Sequence, residues 1–168
     1  MLKIKLSILL IAVIVLSYFC FNPIIFNNED RQDYASQYSI KEGKVKILKD
    51  LDFTKNEYKA LLIIRDKIDL SDKIKGTVLE TEDITILKSI QKEWKFTKTN
   101  GDLATVENEL LIYENETILF RTGIVLDQKK NSNLQGLQNS DMGWLRSNTD
   151  LIEQCSRFER VYFPLCFL

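Results

Sequence analysis

The chain predicts an α+β fold: an N-terminal transmembrane or signal-anchor helix, then one small domain in which an antiparallel sheet is packed by one or two helices. Three observations carry this expectation. A long uncharged apolar stretch opens the chain, several short runs alternate apolar and polar residues, and two segments place apolar residues at helical spacing. The chain has 168 residues. Once the opening stretch and the polar segment after it are set aside, about 130 remain, an ordinary length for one domain. Hydrophobic residues at 45% and charged residues at 28% fit a globular chain and exclude a disordered, collagen-like or polytopic membrane protein.

The opening stretch comes first. Lys3 and Lys5 precede an apolar run over residues 6–21, which continues past Asn22 and Pro23 to Phe26. No charge falls between Lys5 and Glu29. Residues 6–26 match the ~20 needed to cross a bilayer as a helix. A cleaved signal would need small residues near its cut, and Tyr18, Phe19 and Cys20 are too large. Phe19 before Cys20 also argues against a lipoprotein signal. An uncleaved anchor over residues 1–26 is therefore the expectation, with cleavage or lipidation as the alternative. The two lysines keep the N-terminus cytoplasmic, which sends the rest across the cell membrane.

Residues 27–37 are polar and without periodicity, and read as a spacer before an extracytoplasmic domain over 38–168. Val45 and Ile47 suggest a short strand within 44–53. The Thr54 to Glu57 tetrad resembles a helix capping box, but the β-branched run that follows favours a hairpin pairing 60–67 with 73–80. The clearest helix covers 83–94, with Ile84, Leu87, Ile90 and Trp94 on one face and an acidic start suited to the helix dipole. A second hairpin pairs 103–113 with 117–127, with Leu110, Ile112, Ile118, Phe120, Ile124 and Leu126 as its apolar face. The polar segment 128–142 reads as a surface loop. Leu151, Cys155 and Phe158 then suggest a helix over 149–159 behind a second capping tetrad, Ser147 to Asp150. The apolar tail 161–168 should be buried as an edge strand interrupted by Pro164, or lie in an interface.

The chemistry is notable for what it lacks. The chain has no His, which excludes Ser-His-Asp and Cys-His catalysis and His-ligated metals. It contains no CxxC pair and no glycine-rich phosphate loop. A net charge of −1 with scattered basic residues gives no field for nucleic acid. No cofactor or metal is expected. Two sets of carboxylates remain: Glu80, Glu82 and Asp83 at a strand–helix junction, and Glu107, Glu109, Glu114 and Glu116 around the second hairpin. Two carboxylates at the right separation suffice for a glycosidase, but solvated turns and a dipole-matched helix start account for both sets. Neither has the alternate-position spacing of a calcium loop.

Three cysteines are present, Cys20, Cys155 and Cys166. Cys20 reads as a small apolar residue. In an oxidising space Cys155 and Cys166 would form a bridge contributing up to ~3 kcal/mol. Trp94 reads as core. Trp144, with Met142 and Leu137 nearby, is the candidate contact for a partner, although a Trp beside a glycine more often plugs a core edge. An Asn115-Glu-Thr117 glycosylation site would matter only in a eukaryotic chain.

The expected function is a membrane-anchored, extracytoplasmic, protein-binding module without catalysis. An immunity or inhibitor-type envelope protein is its concrete form, bound to another protein and to the membrane through residues 1–26. A carboxylate-dependent glycan hydrolase of the envelope and a structural subunit of a membrane complex are the alternatives.

Overall fold

A computed structural model of the chain describes residues 2–26, 38–41, 43–65, 70–100, 108–127, 134–139 and 141–168. The opening stretch is helix α1 (Leu2–Phe21), shorter than the expected anchor over 1–26, because Ile24–Phe26 form a strand that pairs with the C-terminal tail. Residues 4–18 are exposed along its whole length, and the segment Ile4–Phe21 has a mean hydropathy of 2.5. A helix apolar on every side has no polar face to turn to water, so it has the character of a membrane anchor or signal sequence. It ends where Asn22 N–H and Asn22 Nδ2 both donate to Tyr18 O, at 2.9 and 3.3 Å, and Pro23 follows. Proline lacks the N–H that another turn would need.

Among the described residues the domain is a ten-stranded antiparallel sheet with two helices on one face. Its strands are β2 (Tyr38–Lys41), β3 (Lys44–Ile47), β4 (Tyr58–Ile63), β5 (Val78–Thr81), β6 (Phe96–Thr99), β7 (Glu109–Glu114), β8 (Thr117–Leu126), β9 (Gln135–Asn139), β10 (Gly143–Ser147) and β11 (Glu159–Arg160). Their order in space is β11-β5-β4-β7-β8-β9-β10-β6-β3-β2. Helix α2 (Ile84–Glu93) joins β5 to β6, and α3 (Leu151–Cys155) lies between β10 and β11. A separate two-stranded parallel ribbon pairs β1 (Ile24–Phe26), directly after α1, with the C-terminal β12 (Leu165–Phe167).

Both expected hairpins pair in the expected order but over shorter strands, 58–63 with 78–81 and 109–114 with 117–126; residues 66–67 and 103–107 of the expected ranges lie outside the described residues. Ala60 pairs with Thr81 and Ile63 with Val78 across β4–β5, while β7–β8 turns at Asn115. Asn115 has φ 54°, a left-handed conformation that Asn tolerates better than most residues. The tetrad at Thr54 opens no helix. Asp52 Oδ1 instead accepts from Thr54 N–H at 3.1 Å and Thr54 Oγ1 at 2.6 Å, which closes a turn leading into β4.

The sheet is curled. In a flat sheet β5 and β6 would lie six strand spacings apart, about 29 Å. Yet α2, about 15 Å long, carries the chain between them over one face. The link from β3, in the ninth position, to β4, in the third, also falls short of that span, because its chain is drawn in by two hydrogen-bonded turns, Leu51 N–H to Leu48 O and Lys55 N–H to Asp52 O. The inner face holds the main core: Leu62, Leu79, Ile112, Phe120, Leu137 and Leu145 from the strands meet Leu87, Ile90 and Trp94 from the α2 segment and Ile152 and Cys155 from α3. A second cluster, Leu61, Ile63, Val78 and Leu111, lies on the outer face and is covered by Ile25, Val161, Cys166 and Leu168. The two-sided covering explains why residues 60–63 of β4 are apolar in succession instead of alternating with polar ones.

Helix α2 follows the expected bounds. Asp83 is its N-cap, with its carboxylate accepting from Thr85 N–H at 2.7 Å. Its buried face is Ile86, Leu87 and Ile90. Ile84, expected inside, is 46% exposed. The expected helix over 149–159 is shorter, because the chain turns after Cys155 to add β11 to the sheet edge.

The expected loop over 128–142 contains β9, whose side chains alternate in an unusual sense. Gln135, Leu137 and Asn139 all face inward and are buried; residues 128–133 lie outside the described residues. The inward polar groups are satisfied. Asn139 Nδ2 donates to Arg121 O at 2.9 Å. Gln135 Oε1 accepts from Leu151 N–H and, at 3.3 Å, from Ile152 N–H, so a strand residue caps the start of α3. Asp150 Oδ1 completes the cap, accepting from Ile152 N–H at 3.1 Å and Gln135 Nε2 at 3.1 Å. Gln135→Leu would keep the size but leave the buried Leu151 N–H without its acceptor, while Ile152 N–H keeps Asp150 Oδ1. It should cost about 1–3 kcal/mol in denaturant unfolding of the full chain in detergent. An unchanged midpoint would show that the cap contributes nothing.

The Cys155–Cys166 bridge does not form, and all three cysteines are free. Cys155 is in the inner core and Cys166 in the outer cluster. The sheet therefore stands between two thiols whose Cα atoms would have to approach within ~7 Å. Burial raises the pKa of both thiols, that of Cys155 most, so neither is a reactive thiolate.

Candidate functional site

Strand alternation decides what the Trp144 region presents. Gly143 takes φ 73° as the chain enters β10, a conformation that glycine adopts without strain. Leu145 then points into the core, which leaves Trp144 and Arg146 on the outer face. Trp144 is half-buried between its cross-strand neighbours Gln138 and Thr99. Arg146 and Thr97 beside it are exposed. Met142 and Leu137, grouped with Trp144 on sequence, are both 0% exposed and belong to the core. Of the three, only Trp144 can meet a partner. Leu137 misled because a polar-looking segment proved to be an interior strand, and Met142 because the turn before β10 tucks its side chain into the core.

The first carboxylate set lines an open cavity of about 310 Å³, bounded by Glu80, Thr81, Glu82, Asp83, Arg157 and Glu159. Asp83 is committed to α2. Its hydrogen bonds from Thr85 hold its carboxyl below the usual range, whereas a general acid needs a raised pKa. Glu80 sits directly across from Glu159 on the neighbouring strand, a like-charge pair that solvent must screen.

The second set is not one site. Glu109 and Glu114 stand at opposite ends of β7, about 17 Å apart at ~3.4 Å per residue. That is well beyond the ~9.5 Å limit for a glycosidase pair. Glu114 accepts from Tyr58 Oη at 2.6 Å and Asn56 Nδ2 at 2.7 Å, which lowers its pKa. Glu116 lies in the exposed turn, and Glu107 is outside the described residues. Among the described residues, no three Cys, Asp or Glu side chains gather as metal ligands.

Two arrangements escaped sequence reading. One is a buried ion cluster on the outer face: Glu109 Oε2 lies 3.3 Å from Arg121 Nη2 and 3.5 Å from Arg65 Nη2. Its members are 12 and 44 residues apart in sequence, so no local pattern announces it. The other is the junction between α1 and the tail. Ile24 N–H donates to Pro164 O at 3.0 Å and Leu168 N–H to Phe26 O at 2.9 Å. Arg160 Nη2 donates to Phe21 O at 2.6 Å, and its guanidinium lies over the rings of Phe21 and Tyr162, 4.9 and 5.2 Å from their centroids. A cation there satisfies a helix-terminal carbonyl and complements the negative end of the helix dipole.

Comparison with family models, curated proteins and solved structures finds no match to this chain.

Proposed function

We propose that this is a single-pass membrane protein whose domain, over residues 38–168, works outside the cytoplasm as a non-catalytic module that binds another protein. The observation that carries the reading is α1, a 20-residue helix apolar on all sides whose candidate span has none of its length buried against the domain. The apolar span Ile4–Phe21 is about 27 Å long at ~1.5 Å per residue, close to the ~30 Å of a bilayer's hydrocarbon core. Lys3 and Lys5 at its start favour a cytoplasmic N-terminus. The half-buried Trp144 beside exposed Arg146 and Thr97 supports the binding role, since Trp and Arg are the residues most enriched at the energetic centres of interfaces. An immunity or inhibitor-type envelope protein is the form of this function we favour. The hydrolase alternative is disfavoured by the commitment of Asp83 to a helix cap.

Two measurements test the reading. A reporter fused after Leu168 should be active only outside the cytoplasm; cytoplasmic activity refutes the orientation. A photo-crosslinking residue at position 144, used in native membranes, should give one dominant protein adduct. Absence of any protein adduct from correctly localised chain refutes the binding role.

A further inference from the structure

The ribbon β1–β12 has two apolar faces, and only one is covered. Ile25 and Cys166 turn inward onto Leu61, Ile63, Val78 and Leu111. Ile24, Phe26 and Leu165 alternate to the outside and are 40%, 43% and 38% exposed. Tyr162 and Phe163, on the segment leading into β12, are 59% and 61% exposed. No charged residue occurs in residues 161–168 or 22–26. Five large apolar side chains are thus presented together by two segments that a water-facing ribbon would furnish with polar residues.

Their position relates them to α1. Only Asn22 and Pro23 separate the end of that helix from β1, so the ribbon cannot stand away from it. The Tyr162 ring is edge-on to Phe21 with centroids 5.5 Å apart. The Arg160 guanidinium, bonded to Phe21 O, caps the same spot. If α1 fills the hydrocarbon core, Phe21 lies at its boundary, and Tyr162 and Arg160 lie at headgroup level. Aromatic rings and snorkelling cations concentrate at that level.

We propose that the outer face of this ribbon is a second membrane-binding element. Tyr162, Phe163, Phe26, Ile24 and Leu165 bed into the headgroup–acyl boundary of the leaflet from which α1 emerges, and Arg160 faces lipid phosphate. The occupant of the exposed face is lipid, and the domain is held against the membrane rather than suspended above it. The inference rests on the anchor reading of α1. It adds that the C-terminal tail, through its parallel pairing with β1, fixes the orientation of the domain and hence the direction in which the Trp144 face points.

The test places tryptophan at exposed or lipid-facing positions of the full chain in phosphatidylcholine–phosphatidylglycerol vesicles and reads quenching by lipids brominated at shallow or deep acyl positions. The signal of the parent, which contains Trp94 and Trp144, is subtracted. Phe163→Trp should be quenched several-fold more by shallow than by deep bromines, and poorly by aqueous acrylamide. Val13→Trp, in the middle of α1, should be quenched best by deep bromines. Quenching at position 13 with none at position 163, and free access of acrylamide to position 163, overturns the ribbon proposal and leaves the anchor standing. Protection of position 163 from both quenchers means protein covers the face, a second copy or a partner, and also overturns it. Absence of lipid quenching at both positions overturns the anchor reading itself.

Discussion

Replacing Glu109 by alanine should lower the unfolding free energy of the full chain by about 3–5 kcal/mol, a large share of the stability of a domain this size. The side chains of Arg121 and Glu109 are only 3% and 6% exposed. Glu109→Ala would leave the Arg121 guanidinium buried beside Arg65 with its counter-charge removed. Arg65, with 34% of its side chain exposed, can turn to water; Arg121 cannot. The cost comes from desolvating a charge without compensation, and does not measure what the intact pair contributes. The double variant Glu109→Leu with Arg121→Met should therefore be closer to the parent than Glu109→Ala alone. Chemical denaturation with an unchanged m-value would measure both. A loss below about 1 kcal/mol for Glu109→Ala would mean that water reaches Arg121 once the glutamate is gone.

Trp94→Ala should cost about 3–5 kcal/mol as well, for the opposite physical reason. Trp94 follows the last turn of α2, is 1% exposed, and meets the Phe96 ring edge-on with centroids 6.1 Å apart. It sits where the helix hands the chain to β6, so the cavity would open beneath the helix that the sheet curls around. Trp94→Phe should cost far less. The indole Nε1 is buried and has no hydrogen-bond partner among the described residues, so phenylalanine forfeits volume but no bond to them. Equal losses for alanine and phenylalanine would show that the indole makes an interaction specific to tryptophan. Thermal unfolding of both variants in the same detergent distinguishes the outcomes.

The elements that were legible in the sequence are those whose signal is local. Asp83 announces α2 because a carboxylate before an apolar periodic run is what orphan N–H groups require. The two hairpins are readable because a short turn brings each strand beside its neighbour in the chain. The apolar helix is readable because nothing else explains a charge-free run of that length. Segment 128–142 failed for an equally physical reason. Gln135 and Asn139 are polar residues on a buried face, and whether a polar side chain can be buried depends on partners elsewhere: the α3 amides for Gln135, the Arg121 carbonyl for Asn139. Cys155 and Cys166 are close in sequence, yet the intervening chain crosses from one face of the sheet to the other.

By itself, the sequence determined the fold class, the anchor-like helix and the exclusion of His-based catalysis, since these follow from composition, periodicity and the absence of a residue type. Tertiary structure alone decided the curl of the sheet around α2, the burial of the Glu109–Arg121 pair and the return of the tail to the end of α1. Each of these joins segments far apart in the chain. Such contacts are selected by the collective burial of apolar surface and the pairing of buried polar groups, which no local window of residues records.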